Sequence, residues 1–391
     1  MKFINILLVI LLSCTNGFTQ GLTTIEQDYQ QALGLAAKDN KLLLINFYTS
    51  WCIPCKKLDK LIFQNDSIKQ ILGKDYILLR YNAENDTVFH LSKKHHIFIY
   101  PSAVVLNKSG YVVNRNYGFS GEDFATLSKS VLAFTNQSRE LNGQNIFLKG
   151  YTNNIDISGY PKFYINFINR TNTKPDPVAM RKYFTETHNI YSEEYFSTLL
   201  YFGADEVPGN IADSILKNKK QYTDLYGEKE VESLLYVLVR SKFDKAIAQK
   251  SQQLFDDAVL YVVKIVNDSY AATIQSFKTE FLMAQNKWAE VFRINEELKN
   301  KGGLSDESVN HFCWTIYEKC TDSQVIKQCI SWMKELTGRK PEYAYLDTYA
   351  FLLYKSGNKE QTKKIAQLAL EAAKKEKENT KALEKMLEKL R

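Results

Sequence analysis

The chain has 391 residues, which corresponds to two or three domains at a typical size of about 150 residues each. Hydrophobic residues make up 45% and charged residues 24%, ordinary values that exclude disordered, collagen-like and coiled-coil classes. Six cysteines are too few for a disulfide-stapled scaffold, and a net charge of +7 without a dense basic block argues against a nucleic-acid partner.

The N-terminus carries one short apolar segment. Lys2 precedes a run from Phe3 to Leu12 that is apolar except for Asn5, and small polar residues follow. This run is too short to span a bilayer, which needs about 20 residues. The pattern predicts a secretory signal peptide over residues 1–20. We therefore expect the mature chain in the periplasm or cell envelope.

Cys14 leaves two alternatives for the processing of this segment. The residues Leu11 to Cys14 are similar to the bacterial lipoprotein box, in which the cysteine is lipidated, although the second leucine fits poorly. An ordinary cleavage between Gly17 and Gln20 is the alternative that we favour. A lipid anchor at Cys14 is the route to the membrane that the sequence leaves open.

Residues 21–138 alternate between helical and strand patterns. A first helix is expected over Ile25–Ala36, with Thr23 or Thr24 as its cap. The predicted strands are Leu42–Phe47, Tyr76–Arg80 and a hairpin of Ala103–Leu106 with Tyr111–Val113, and further helices follow Cys52, begin at Asp66 and cover Phe124–Phe134. This order predicts an α/β domain around one mixed sheet.

The rest of the chain divides at a pair of prolines. Residues 139–177 are irregular and polar, which predicts a linker or adaptor ending at Pro175 and Pro177. From residue 178 to 391, helical patterns alternate with short turns and no convincing strand pair appears. We therefore expect an all-α array of antiparallel neighbours.

The last part of the array has a repeat-like pattern. Residues at the offsets of a tetratricopeptide repeat are Tyr345, Leu346, Tyr349, Ala350, Leu353, Gly357, Ala366, Ala369 and Leu370. Looser helical hairpins fit Phe277–Lys299 and Asp306–Leu336, and an irregular helical bundle is the alternative. At the end, Leu383, Met386, Leu387 and Leu390 predict an amphipathic helix that closes the array.

The motif Trp51-Cys52-Ile53-Pro54-Cys55 directly follows a predicted buried strand and opens a predicted helix. A helix N-terminus has unpaired N–H groups and partial positive charge, which favour a thiolate at Cys52. Lys56 and Lys57 add positive charge. Cys55 lies one helical turn later, within disulfide reach, and Pro54 is tolerated because the first turn has no N–H partner to lose.

This segment resembles the thioredoxin family through residues Phe47 to Lys56. It is similar to secreted thioredoxin-like domains such as the C-terminal domain of the membrane thiol:disulfide interchange reductase, which share the W-C-x-x-C-K start, a later phenylalanine (Phe63) and a short helix capped like Asp66-Ser67. The resemblance covers about residues 24–135. It implies a redox-active Cys52–Cys55 disulfide supported by Trp51, Pro54 and Lys56.

A second match lies at Ile99-Tyr100-Pro101-Ser102, before a predicted strand. The resemblance implies that Pro101 is the family's cis-proline, which faces the disulfide and shapes the substrate groove. Tyr100 would then bind a client chain through its backbone. An ordinary trans proline that opens a strand is the alternative.

One position departs from the family pattern. Family members often have a buried aspartate six residues before the first cysteine, where this chain has Asn46. An amide cannot accept the proton of Cys55 as a carboxylate does. Arg80 stands where the family has a lysine, and we expect Asn46 and Arg80 to form hydrogen bonds without an ion pair.

Other candidate residues favour structural roles. Zinc would need two further ligands for the Cys52–Cys55 pair. Three cysteines of the helical array are expected to be buried free thiols, with a disulfide from Cys329 to Cys313 or Cys320 across the hairpin as the alternative. His90, His95 and His96 are expected on the surface of a polar helix. An aromatic cluster is expected to be helix core: Tyr183, Phe184, Tyr191, Tyr195, Phe196, Tyr201 and Phe202.

Together these features predict an extracytoplasmic thiol–disulfide oxidoreductase that maintains cell redox homeostasis by reducing client disulfides. Cys52 and Cys55 would be catalytic, with no cofactor and no metal. The partners would be disulfide-containing client proteins and a membrane thiol electron donor, with the helical array docking clients or partners. The alternative is a binding scaffold in which the array mediates protein–protein interaction and the cysteines are dispensable or form a permanent structural disulfide.

Overall fold

The computed structural model describes residues 21–186, 189–203, 209–265 and 271–390. The predicted signal peptide and Cys14 lie outside these residues. Within the described ranges, none of the helices has both the length and the apolar character needed to cross a membrane. The chain forms two compact units, the first ending at Ser241 and the second beginning at Lys242.

A single mixed sheet forms the centre of the first unit, as the sequence predicted. Its strands are β1 (Thr23–Glu26), β2 (Leu42–Tyr48), β3 (Tyr76–Asn82), β4 (Ser102–Leu106) and β5 (Val112–Tyr117), in the order β1-β3-β2-β4-β5. The first three strands are parallel to one another, and β4 is antiparallel to both β2 and β5. Side chains of β2 are buried on both faces because helices cover the sheet on each side.

The first predicted helix begins later than expected, so the expectation for Thr23 and Thr24 is wrong. Both residues belong to β1, where Thr23 pairs with Ile77 of β3. The helix α1 (Tyr29–Lys38) begins after Asp28, whose carboxylate accepts a hydrogen bond from the Gln31 N–H at 2.9 Å. A carboxylate cap of this kind fixes a helix start more strongly than the apolar spacing that begins at Ile25.

Helices on one face of the sheet carry the CxxC motif. This layer contains α2 (Ile53–Leu58), a π-helical turn (Asp59–Phe63), α3 (Asp66–Leu72) and α5 (Phe124–Gly143). A fourth helix, α4 (Leu91–Lys94), lies between β3 and β4 in the chain. Leu42 and Leu44 of β2 share a core with Leu58 of α2, so alternate residues of β2 point toward the motif helix.

Further helices follow α5 along the chain: α6 (Lys162–Ile168), α7 (Pro177–Glu186), α8 (Glu193–Phe202), α9 (Gly209–Lys217), α10 (Lys219–Tyr226) and α11 (Glu228–Gln249), whose last residues belong to the second unit. The segment expected to be an irregular linker thus contains α6. Four residues of the predicted aromatic core are buried, namely Phe184, Tyr195, Phe196 and Phe202, whereas Tyr183, Tyr191 and Tyr201 are half-buried. Phe196 stacks on Tyr226 with ring centroids 3.7 Å apart.

Two buried ion pairs join these helices to the α/β domain. Lys94 Nζ lies 2.7 Å from Glu193 Oε1 of α8. Arg115 Nε of β5 lies 3.7 Å from Glu230 Oε1 of α11. Buried charges require such partners, because an unpaired charge in the interior is very unfavourable. The compact unit therefore extends past residue 177, where the sequence suggested a boundary.

The expectation that His95 and His96 lie on the surface is wrong. Both are buried, and the Arg115 guanidinium contacts His96 Nε2 and donates to the His95 carbonyl at 2.6 Å. Tyr201 of α8 donates its hydroxyl to the His96 carbonyl. Helices from a distant part of the chain cover these histidines, and the local polar sequence carries no sign of that cover.

Buried neutral histidines predict a dependence of stability on pH. Burial, helped by the positive charge of Arg115, holds the pKa of both His95 and His96 well below 6.5. The unfolded chain binds more protons than the folded chain below pH 6.5. The contribution of neutral His95 and His96 to the free energy of unfolding is therefore fully present above pH 6.5. It is lost as the pH falls below that value, by up to about 1.4 kcal/mol per pH unit for each histidine.

We expect His96→Asn to remove one histidine's share of this pH dependence. Hydrogen exchange of β3 amides at pH 7.5, 6.5 and 5.5 would report the unfolding free energy of the first unit. The advantage of wild type over the variant should shrink as the pH falls. A difference that stays constant over this range would contradict the prediction.

The second unit is helical, as predicted. It contains α12 (Gln252–Ile265), α13 (Ala271–Ala284), α14 (Trp288–Asn300), α15 (Asp306–Lys319), α16 (Ser323–Arg339), α17 (Tyr343–Lys355), α18 (Lys359–Glu376) and α19 (Lys381–Glu388). The three expected hairpins coincide with α13–α14, α15–α16 and α17–α18. Gly357 turns the last hairpin with φ +82°. The tetratricopeptide-like character of this array stays a prediction.

Two other predictions for this unit are confirmed. Cys313, Cys320 and Cys329 are buried free thiols. The C-terminal helix α19 buries Leu383 and Met386 against the array.

Candidate active site

The CxxC motif lies at the junction between β2 and α2. Cys52 is the N-cap of α2, and its Sγ accepts a hydrogen bond from the Cys55 N–H at 3.1 Å. Cys52 and Cys55 form a disulfide with an S–S distance of 2.03 Å. Pro54 occupies the first turn, where helices tolerate proline. The structure thus places the pair at a helix N-terminus, as the sequence predicted.

The charges around the pair are positive at the start of α2. The Cys55 N–H of the first turn points toward the Cys52 sulfur, and Lys56, the next residue in the chain, is exposed. Lys57 pairs with Glu122 across the neighbouring loop. A thiolate at Cys52 in the reduced protein would be stabilised by the helix N-terminus more than by Lys57, because Glu122 offsets the charge of Lys57.

The predicted cis-proline is present. The Tyr100–Pro101 peptide bond is cis and immediately precedes β4. The Trp51 ring, 54% exposed, meets the Tyr100 ring edge-to-face with centroids 6.1 Å apart. The structure therefore brings the motif loop and the proline loop together.

Two cavities flank this meeting point. One, of about 400 Å³, is lined by Ile53, Pro54, Pro101 and Phe119 among others. The other, of about 360 Å³, has Trp51 and Tyr100 in its wall. The disulfide itself is nearly covered, since Cys52 is 3% exposed, whereas Ile53 beside it is 77% exposed. The nearly covered disulfide is thus flanked by exposed apolar side chains, Trp51 and Ile53.

The expectation that Asn46 and Arg80 bond to each other is wrong. They are direct neighbours on β2 and β3, yet Arg80 pairs with Glu26 on β1 and with Asp59, whose Oδ1 lies 3.0 Å from Arg80 Nε. The Asn46 Oδ1 is buried and has no hydrogen-bond partner among the described residues. Carboxylates on both sides of Arg80 outcompete an amide, because charge-assisted hydrogen bonds are stronger.

Asn46 points the same way along β2 as Leu42 and Leu44, toward the helix that carries Cys55. We expect Asn46→Asp to speed the step in which Cys55 loses its proton by about a hundredfold, the low end of the range for a positioned proton acceptor. Burial would raise the pKa of the new carboxyl, so the gain should appear only above that pKa.

Rapid-quench measurement of mixed-disulfide release between pH 6 and 9 would test this prediction. Asn46→Leu has a similar volume and no acceptor, and it is expected to leave the rate unchanged. Equal rates for Asn46→Asp and Asn46→Leu across the pH range would contradict the prediction.

Two residues at this site were missed by the sequence analysis. Glu84 accepts a hydrogen bond from the Ser50 N–H, which holds the pKa of its carboxyl below the usual range. Arg170 lies over the rings of Trp51 and Tyr100. Neither belongs to a local motif, and Arg170 reaches the site through tertiary packing.

The sheet order, the cis-proline and the CxxC position define a thioredoxin-like domain. Residues 24–108 match the family described as thioredoxin-like. Through this N-terminal domain, the chain belongs to the thioredoxin-like family.

Several solved structures are similar to this part of the chain. A protein assigned as a disulphide-isomerase from Bacteroides thetaiotaomicron is 31% identical, with 29% of this chain and 93% of that chain covered and a TM-score of 0.26. A thioredoxin from Thermus thermophilus is 16% identical, covering 32% and 88%, with a TM-score of 0.25. The DsbH oxidoreductase is 20% identical, covering 30% and 87%, with a TM-score of 0.24. A comparison with curated proteins found no match.

Proposed function

We propose that this protein is an extracytoplasmic thiol–disulfide oxidoreductase that reduces disulfides in client proteins. The observation that carries the proposal is the Cys52–Cys55 disulfide at the N-terminus of α2, where Cys52 Sγ accepts from the Cys55 N–H. The same N–H that bonds this sulfur, together with the helix N-terminus, would stabilise a thiolate when the pair is reduced.

The reaction begins with the reduced protein. The Cys52 thiolate attacks one sulfur of the client disulfide, forming a mixed disulfide and releasing the other client sulfur as a thiolate, which takes a proton from solvent. Cys55 then loses its proton and attacks Cys52 Sγ. This step closes the Cys52–Cys55 disulfide and releases the second client thiolate, which is protonated. Two electrons pass from the protein to the client.

The client chain would lie along the open surface around the disulfide. Trp51, Ile53 and Ile99 are exposed apolar side chains near the motif and the proline loop. The backbone of Tyr100 would offer hydrogen bonds to an extended client, and Pro101 shapes the cavity on the far side of the motif. Burial raises the pKa of Tyr100 to about 12, so its hydroxyl stays protonated.

We further propose a source of electrons and a cellular location for the protein. The oxidised pair needs an upstream electron donor, which we propose is a membrane thiol protein. The predicted signal peptide over residues 1–20 would deliver the chain to the periplasm or cell envelope. Cys14 would anchor it there if it is lipidated, and the helical array of the second unit would dock clients or partners.

Reduction of insulin disulfides by residues 21–391, with dithiothreitol as the electron source, tests the activity. Turnover well above dithiothreitol alone is expected. No acceleration by a chain whose Cys52–Cys55 pair is fully reduced at the start would contradict the proposal.

Cell fractionation of the full chain beside a Cys14→Ala variant tests the location. Protein in the envelope fraction is expected, and a signal in the cytoplasm alone would contradict the proposed export. Release of the variant from membranes that retain the wild type would establish the lipid anchor, and an identical distribution of the two would exclude it.

A further inference from the structure

Arg170 meets both loops of the active site. Its guanidinium carbon lies 5.0 Å from the Trp51 ring centroid and 5.5 Å from the Tyr100 ring centroid. Its Nη2 donates a hydrogen bond to the Phe98 carbonyl at 2.6 Å. Arg170 therefore contacts the residue before Cys52, the residue before Pro101 and the backbone between α4 and β4.

The segment that carries Arg170 is fixed to the α/β domain. In α6, Tyr164 donates its hydroxyl to the Lys93 carbonyl at 3.0 Å, and the Phe167 ring packs on Phe98 with centroids 5.0 Å apart. The Arg170 N–H bonds the Phe167 carbonyl at 3.0 Å, which ends the helix just before the active site. The packing of α6 against the α/β domain thus fixes the backbone of Arg170 next to the active site.

Arg170 also lines the cavity beside Trp51, together with residues of the α/β domain. Two other charged groups that line this cavity, Asp86 and Lys93, are buried, and Lys93 Nζ lies 3.1 Å from Asp86 Oδ2. Glu84 accepts from the Ser50 N–H. Among the described residues, no carboxylate lies within salt-bridge distance of Arg170, so its charge faces the cavity without an ionic partner.

A guanidinium in this position suits a carboxylate ligand. It has five N–H donors in one plane, and its one hydrogen bond within the described chain goes to Phe98. The rings of Trp51 and Tyr100 lie beside the guanidinium and take none of its N–H groups as conventional acceptors, so the other N–H groups along the edge of its plane remain available to a ligand. A carboxylate matches that edge with two parallel hydrogen bonds.

We propose that Arg170 binds a carboxylate of the client chain next to the disulfide that Cys52 attacks, so that the protein selects clients with Asp or Glu beside the reactive cysteine. The inference rests on the proposed reductase function and deepens it. It makes the turn that follows α6, outside the segment that matches the thioredoxin-like family, a part of the substrate site.

Three sets of disulfide peptides would test the inference. They carry Glu, Gln or Lys at the positions on either side of the attacked cysteine and are otherwise identical. Wild type is expected to reduce the preferred Glu peptide with a kcat/KM about tenfold above its Gln counterpart, the typical effect of a hydrogen bond to a charged group, with Lys lowest. The difference should lie mainly in KM.

Arg170→Gln should remove this preference, and Arg139→Gln is the matched control. Arg139 is an exposed arginine of α5 that pairs with Asp75, so its loss should leave the preference intact. Equal kcat/KM for all three peptides in wild type, or an unchanged preference in Arg170→Gln, would overturn the inference.

The uncharged 2-hydroxyethyl disulfide separates this inference from the proposed function. Arg170→Gln should slow the reduction of this substrate far less than the reduction of the Glu peptide. If Arg170→Gln slows this substrate as much as the Glu peptide, Arg170 supports the Trp51 loop and does not select clients, which overturns the inference. If wild type reduces neither this substrate nor any peptide, the reductase function itself is wrong.

Discussion

Replacing Cys52 by serine is expected to lower kcat/KM for client disulfides by at least about a thousandfold, as loss of a catalytic nucleophile typically does. A serine hydroxyl is far less acidic than a thiol, so the helix N-terminus that stabilises a thiolate at this position cannot ionise it. Insulin reduction with dithiothreitol as the electron source would measure the loss.

The matched variant Cys55→Ala separates attack from release. It keeps the Cys52 thiol and removes the group that closes the disulfide. We expect it to form covalent Cys52 adducts with clients that persist on non-reducing gels, whereas Cys52→Ser forms none. Adducts in Cys52→Ser, or wild-type turnover in Cys55→Ala, would contradict the assigned roles.

The largest effect on stability is expected at the buried pair of Lys94 and Glu193. Both side chains are less than 5% exposed, and the Glu193 carboxylate also accepts from the Thr152 N–H at 2.9 Å and the Tyr160 hydroxyl at 3.1 Å. Glu193→Leu leaves the Lys94 ammonium buried without its counter-ion. We expect the free energy of unfolding of the first unit to fall by about 3–5 kcal/mol.

The double variant Lys94→Met/Glu193→Leu is the control for this prediction. It removes both charges, and apolar replacement of a buried pair is often close to neutral. Hydrogen exchange of β3 amides should show the double variant to be more stable than Glu193→Leu alone. A single variant as stable as wild type, or a double variant less stable than the single, would contradict the ion-pair explanation.

Local sequence was sufficient to place the Cys52–Cys55 pair at the start of a helix. Strand, cap and first helical turn all lie between Leu42 and Leu58, so the chemistry of Cys52 could be inferred from neighbours in the chain. Pro101 could be placed because the resemblance to the thioredoxin family puts a cis-proline directly before this strand. Short-range interactions determine the first feature, and the family resemblance supplied the second.

Three features that the sequence analysis missed, namely the buried histidines, the position of Arg170 and strand β1, depend on contacts between distant parts of the chain. The burial of His96 comes from Arg115 and Tyr201, and the site position of Arg170 comes from α6 packing on Phe98. β1 was missed because its four residues alternate exposure at the sheet edge and carry no apolar run. None of these contacts has a periodic or motif signature in one sequence.

The reduction potential of the Cys52–Cys55 pair tests the proposed reductase most directly. The protein would be equilibrated in graded dithiol buffers and its free thiols trapped. A reduction potential of about −270 mV, the value of thioredoxin, is expected of a reductant. A reduction potential of about −120 mV, typical of a strong oxidant, would contradict the proposed direction of electron flow. A pair that does not cycle over this range would favour a scaffold whose helical array carries the function.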